Sequence, residues 1–389
     1  MAADTPGKTG STSRLLFIDN LRIFLICLVI TTHSAITYGG VGSWYFFDTA
    51  NSGPVTSYVL SVIDILNQSF FMGFFVLVSA YFVPGSLSRK GVRKFAHDRL
   101  IRLGIPLVFW LIFMNPILNA IVMFGKGEPV TSIPEFFAGV SAFSSPWGPS
   151  FGPMWFVAFL LVATFVFLLW EYLVPPKPAS EQKPVGFPGI PALLGLGVIL
   201  AAVTFLVRIV QPIGTSIFFG FQLPFFPQYI AFFVIGIIAA RNRWLDAIPE
   251  RVGKIATCIA LILTIILPFI AWTVMNTPDG LMMVRGGLHW QAFGFALWEQ
   301  MEGVFMTIAL LWIFAKWFNH QGTTVKEMAG DSYTVYIIHP VFIVSLAVLL
   351  LNVALPGMAK FLIELPLAIC LSFLAAHLIR KIPGIQKVL

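Results

Sequence analysis

Charge is scarce in this sequence. Only 11% of its 389 residues are Asp, Glu, Lys or Arg, against about 25% in a soluble globular chain. So little charge cannot cover a water-facing surface, which excludes an ordinary soluble enzyme of two or three domains. Cysteine is scarce too: Cys27, Cys258 and Cys370 lie far apart in apolar stretches with no CxxC spacing. That excludes a disulfide framework, and no metal site is expected. Nor is there a long polar block between residues 15 and 380 at which to divide the chain. The expectation is a polar, disordered cytoplasmic tail over 1–14 and one multi-helix membrane domain over 15–389. The apolar run after Arg14 has no small-residue cleavage site, so it reads as a retained first helix and not as a removed signal peptide.

What the chain has in abundance is apolar sequence, with 58% hydrophobic residues and a mean hydropathy of +0.88. Requiring about 17 to 25 mostly apolar residues per crossing places helices near 15–37, 56–83, 99–124, 153–174, 190–210, 224–240, 252–275, 293–317, 331–351 and 358–380. The fold class is an all-α integral membrane protein, a bundle of about ten transmembrane helices. A barrel strand would alternate over about ten residues, whereas these runs are continuously apolar. With the N-terminus inside, 20 of the 24 Lys and Arg residues fall on the cytoplasmic side. Lys126, Arg285 and Lys360 fall outside, and Arg208 lies within the fifth helix. This bias predicts a multi-pass protein of the cell (inner) membrane with both termini cytoplasmic. Topology and anionic lipids then account for the net charge of +7 without a nucleic-acid partner. The longest exterior connection, 125–152, carries Trp147 and can form a lid, while the Pro-rich segment 175–189 is a cytoplasmic connector.

Ionisable side chains at membrane depth are costly and mark candidate sites. In FIDNLRIFLICLVITTHSAI, Arg22 and His33 are eleven positions apart, about 20° past three full turns, so they share one face. Asp19, one turn before Arg22, is placed to pair with it. His33 sits roughly 16 Å further out than Arg22. Histidine suits the removal of a hydroxyl proton near neutral pH, although it also suits a plain interhelical hydrogen bond. Arg99 and Arg102, three apart after Arg93, form a basic mouth on the third helix. They can grip a phosphate-bearing donor or simply set topology. Ser332, Tyr336 and His339 make one stripe of the ninth helix, and Pro340 opens the backbone beside it. That stripe fits a substrate contact or a hydrogen-bond ladder. Glu299 and Glu302, at the outer start of the eighth helix, are candidates for binding acceptor hydroxyls or for acid–base work. Trp155 in GPMWF is a sugar-stacking platform or an interface-belt residue. Arg208, with Gln211 near the outer end of its helix, can snorkel.

Taken together, Asp-x-x-Arg with His eleven positions later, FFMGFFVLVSAYF, DRLIRLGIP, GPMWF and SYTVYIIHP resemble the membrane acyltransferase 3 family, in order and over nearly the whole chain. The resemblance implies transfer of an acyl group, acetyl or succinyl, from cytoplasmic acyl-CoA to a hydroxyl of a carbohydrate or glycan at the outer face. It makes acyl-CoA a cosubstrate and implies no permanently bound cofactor. It also implies that His33 is the essential histidine, acting as base or transient acyl carrier, that Arg22 is its paired cation, and that Arg99 and Arg102 form the third-helix arginine motif. Many members separate those two arginines by one residue, where this chain has two. No hydrolase-like domain is expected after the last helix. A competing reading is a transporter of a polar or lipid-linked substrate that uses His33, Glu299 and His339 as a proton relay.

Overall fold

The computed structural model describes residues 15–130, 150–174 and 184–389 and contains ten helices long and apolar enough to cross a membrane. They are α1 (Leu16–Thr37), α2 (Pro54–Tyr81), α3 (Val92–Lys126), α4 (Trp155–Leu173), α5 (Ile190–Val210), α6 (Phe226–Arg241), α7 (Glu250–Met275), α8 (Trp290–Trp317), α9 (Thr323–Leu350) and α10 (Gly357–Arg380). Helices satisfy their own backbone groups, which is what hydrocarbon demands. The proposed 1–14 tail, Trp147 and most of its exterior loop, and residues 175–183 of the connector lie outside the described residues.

Two starts differ from expectation. α3 begins at Val92 and not near 99, and α9 begins at Thr323 and not near 331. Both extensions, VRKFAHD and TTVKEMAG, are polar turns that continue a helix beyond its apolar length. Hydropathy does not register such turns.

α3 is also not uniform. π-helical turns at Leu100–Gly104 and Trp110–Met114 each end two residues before a proline, Pro106 and Pro116. A helical proline removes one backbone N–H and crowds the carbonyl four residues earlier, and a wider turn relieves that crowding. The carbonyl exposed by Pro106 belongs to Arg102, and the Tyr333 hydroxyl of α9 donates to it at 2.7 Å.

α1 occupies the middle of the bundle, packed against α2, α8, α9 and α10. Ile18, Leu21, Leu25, Ile26, Val29 and Ile30 along it are buried, and nearer its C-terminal end so are Thr32, Ser34 and Thr37. α7 shows the opposite pattern, with Leu261, Ile265 and Phe269 exposed. Apolar exposure of this kind is what a lipid-facing helix requires.

Two cations sit where the sequence did not place them. Arg208 does not snorkel: it is fully buried, and its Nη2 donates to Glu299 at 2.6 Å. Lys360, counted with the outer charges at the start of the tenth span, is fully buried in α10, and its Nζ donates to Asp48 at 2.6 Å and to the Leu351 carbonyl at 3.1 Å. A paired charge can be buried at a depth where a free one cannot.

Candidate active site

α1 brings His33, and α9 brings His339, to one point in the bundle, in the half of α1 nearer its C-terminus. His33 Nδ1 and His339 Nε2 are 2.9 Å apart, and the two rings are only 10° from parallel. On its other side, His339 Nδ1 lies 2.7 Å from the Tyr336 carbonyl oxygen. Pro340 explains why that carbonyl is available. The residue four positions after Tyr336 would normally supply a helical N–H, and proline has none.

The hydrogen bonds fix the tautomers of the neutral pair. A carbonyl only accepts, so His339 carries its proton on Nδ1 and offers a lone pair at Nε2. His33 Nδ1 must then be the donor of the bond between the rings. This leaves a lone pair on His33 Nε2, the nitrogen a general base needs.

The loop after α1 covers this pair. Trp44 stacks on the His33 ring with centroids 3.8 Å apart and planes 13° from parallel. Tyr45 meets Trp44 edge-on and donates through its hydroxyl to Asn115 Oδ1 of α3 at 2.9 Å. Burial pushes the Tyr45 phenol above its ordinary pKa, so it stays a donor. The same is true of Tyr38, raised by burial and further by Glu364, the carboxylate to which it donates.

The remaining candidates fall into three places. Near the N-terminal end of α1, Arg22 donates to Asp19 at 3.3 Å and lies 4.9 Å over the Phe82 ring, which gives the expected pairing. Arg93 and Arg102 are exposed; Arg99 is half-buried, 5.0 Å over Phe95. Toward the His33 end of the bundle, the Tyr336 hydroxyl donates to the Pro153 carbonyl, which ties the GPMWF segment to the His339 helix. Trp155 stacks on Tyr229 at 5.1 Å and 25°, and both line a recess with Gln68, Gln222, Phe225 and Phe226. Ser332 donates to the Met328 carbonyl of its own helix and does not join His339.

Glu299 and Glu302 are not side by side in function. They lie nine and twelve residues into α8, deeper than an outer start. Glu299 takes Arg208 and Gln300, and Gln300 in turn takes Gln228. Glu302 accepts from Thr264 at 2.9 Å. Among the described residues no direct hydrogen bond links either carboxylate to the histidine pair.

Sequence reasoning missed Trp44, which sits on a loop with no period to betray it. It also missed Asp48–Lys360 and Tyr38–Glu364, which fasten the same loop to α10. Lys360 and Glu364, four apart in an apolar run, carried the membrane-depth signal used for the others.

Comparison with known proteins follows the same line. Residues 15–380 match the family described as "Acyltransferase domain". The chain is similar to the Glucans biosynthesis protein C of Salmonella paratyphi B and of Salmonella heidelberg, 22% identical to each over 334 residues, which cover 84% of this chain and 81% of the relative. No solved structure matches.

Proposed function

Since the chain belongs to the acyltransferase-domain family over nearly its whole length, we propose that this membrane acyltransferase moves an acyl group from cytoplasmic acyl-CoA to a hydroxyl of a carbohydrate at the outer face. The observation that carries the reading is the chain from the Tyr336 carbonyl through His339 to His33, which leaves His33 Nε2 free to take a proton. Arg93, Arg99 and Arg102 hold the donor's phosphates at the inner rim. The acyl-pantetheine arm runs up the bundle past Arg22, whose position roughly 16 Å below His33 suits an extended arm. The acceptor enters from the outside, with the Trp155 and Tyr229 rings and the Gln68 and Gln222 amides offering the stacking and polar contacts that sugars use. The relatives' name makes a glucan the first acceptor to try. The charge bias favours cytoplasmic termini in a cell inner membrane.

In the transfer step His33 Nε2 takes the proton of the acceptor hydroxyl as its oxygen attacks the thioester carbon. A C–O bond forms, and the carbonyl π pair moves onto its oxygen. Collapse of the tetrahedral intermediate breaks the C–S bond, and the leaving thiolate recovers the proton from His33. The products are an ester and free CoA.

The test is purified protein with labelled acetyl-CoA or succinyl-CoA, assayed for free CoA and labelled product with and without a glucan. Acceptor-dependent CoA release by the wild type, abolished in a folded His33→Ala variant, is the expected result. Wild-type protein that consumes neither donor, or a His33→Ala variant as active as the wild type, overturns the reading.

A further inference from the structure

The indole N–H of Trp44 is buried and has no hydrogen-bond acceptor among the described residues. A buried donor left unpaired is costly, and such groups are expected to have a reason. This one belongs to the ring that lies flat on His33, with centroids 3.8 Å apart. Nε1–H points within the indole plane, so it addresses a layer one ring thickness from the plane in which His33 Nε2 meets its substrate. The thioester oxygen is separated from the attacked carbon by one bond, and the acceptor oxygen from that carbon by another. Both fit into two adjacent layers.

We propose that Trp44 is a catalytic residue, its indole N–H donating to the oxyanion that forms on the thioester carbonyl as His33 deprotonates the acceptor. This rests on the acyl-transfer reading above. The electron balance is that of the step already written: the carbonyl pair that becomes the oxyanion accepts the Trp44 hydrogen bond and returns to the carbonyl when the C–S bond breaks.

Oxyanion donors work when they are fixed before the reaction, so that no reorganisation is needed as charge develops. The Trp44 loop is fixed in this way. Its far end is tied by Asp48, whose N–H donates to the Thr37 carbonyl at 2.8 Å and whose carboxylate takes the buried Lys360 at 2.6 Å. Ser52 donates to the Tyr38 carbonyl at 2.6 Å, and the Gly357 N–H of α10 donates to the Asn51 carbonyl at 3.0 Å. Tyr45 holds the other edge of the indole through Asn115. A loop needed only to shed water would not require a buried ion pair and four further ties around one tryptophan.

The experiment compares wild type, Trp44→Phe and His33→Ala in the acyl-CoA assay, with kcat and both KM values measured. Phe keeps an aromatic ring for the stack and removes the donor together with the five-membered ring. The expected result is a kcat lowered about 10²- to 10³-fold in Trp44→Phe, the usual cost of one oxyanion donor, with both KM values nearly unchanged and thermal unfolding as in the wild type. Should Trp44→Phe fold poorly, site-specific benzothienylalanine at position 44 keeps the indole shape without its N–H and is expected to give the same kcat loss. An unchanged kcat in the folded donorless variant, with His33→Ala inactive, overturns the proposal and leaves the acyl-transfer reading standing. A raised acceptor KM at unchanged kcat also overturns it, because the N–H then binds the sugar and not the oxyanion. An active His33→Ala variant overturns the reading and the proposal with it.

Discussion

His33 and His339 are 306 positions apart in the chain, and their facing ring nitrogens are 2.9 Å apart in the fold. The pair works as a unit because the partner of His339 is a backbone carbonyl, which cannot turn or titrate. Pro340 supplies that carbonyl by withholding the N–H that would have occupied it. The arrangement has the logic of a triad, with a fixed acceptor orienting one imidazole that orients the next.

His339→Leu therefore removes the acceptor of the His33 Nδ1 proton, and the His33 tautomer is no longer fixed. The expected result is a kcat lower by about 10²-fold or more, toward the range assigned to a positioned base, with donor KM nearly unchanged. His339→Gln can present an amide oxygen to His33 and should retain intermediate activity. Equal loss in both variants, or a loss carried by KM alone, would show that His339 contacts substrate and does not position the base.

Arg208 and Glu299 supply a stability test. Both are buried and bonded at 2.6 Å, and leaving one charge of such a pair alone typically costs about 3–5 kcal/mol. Arg208→Met should therefore unfold at markedly lower temperature in detergent. Arg208→Met combined with Glu299→Leu should recover most of that loss, because no uncompensated charge remains. Additive losses in the double variant would argue that the two do not act as a pair.

These cases show where the sequence was legible. Span number and most helix ends followed from hydropathy, since the bilayer fixes how long an apolar run must be. The shared face of Arg22 and His33, and the Asp19–Arg22 contact, followed from the helical period. Arg208 was misplaced because its proximity to a helix end suggested an exit to water, while its partner lies 91 positions away on another helix. Trp44 stayed hidden for a related reason: a loop has no periodicity, and its position over His33 depends on ties to α3 and α10 that only the packed bundle brings together. Contacts within one helix are written in spacing. Contacts between helices are not.

The inner rim gives the last test, because its arginines differ in exposure. Arg93 and Arg102 are exposed, and Arg99 is half-buried, so salt should screen the first two more than Arg99, the Debye length being about 10 Å at 0.1 M. Arg99→Ala is expected to raise the acyl-CoA KM several-fold with little change in kcat at low and high salt alike, and Arg93→Ala and Arg102→Ala to have effects on that KM that fade as salt rises. The contacts proposed are with phosphates, so a truncated donor decides the matter. An acyl-pantetheine without the nucleotide should react with a poor KM in the wild type and be indifferent to all three substitutions. Should Arg102→Ala instead slow the truncated donor as much as acyl-CoA, its role would lie in holding the helix, where the Tyr333 hydroxyl meets the Arg102 carbonyl. The extra residue between Arg99 and Arg102 would then be a packing feature of a π-helical turn and not a spacing set by the donor.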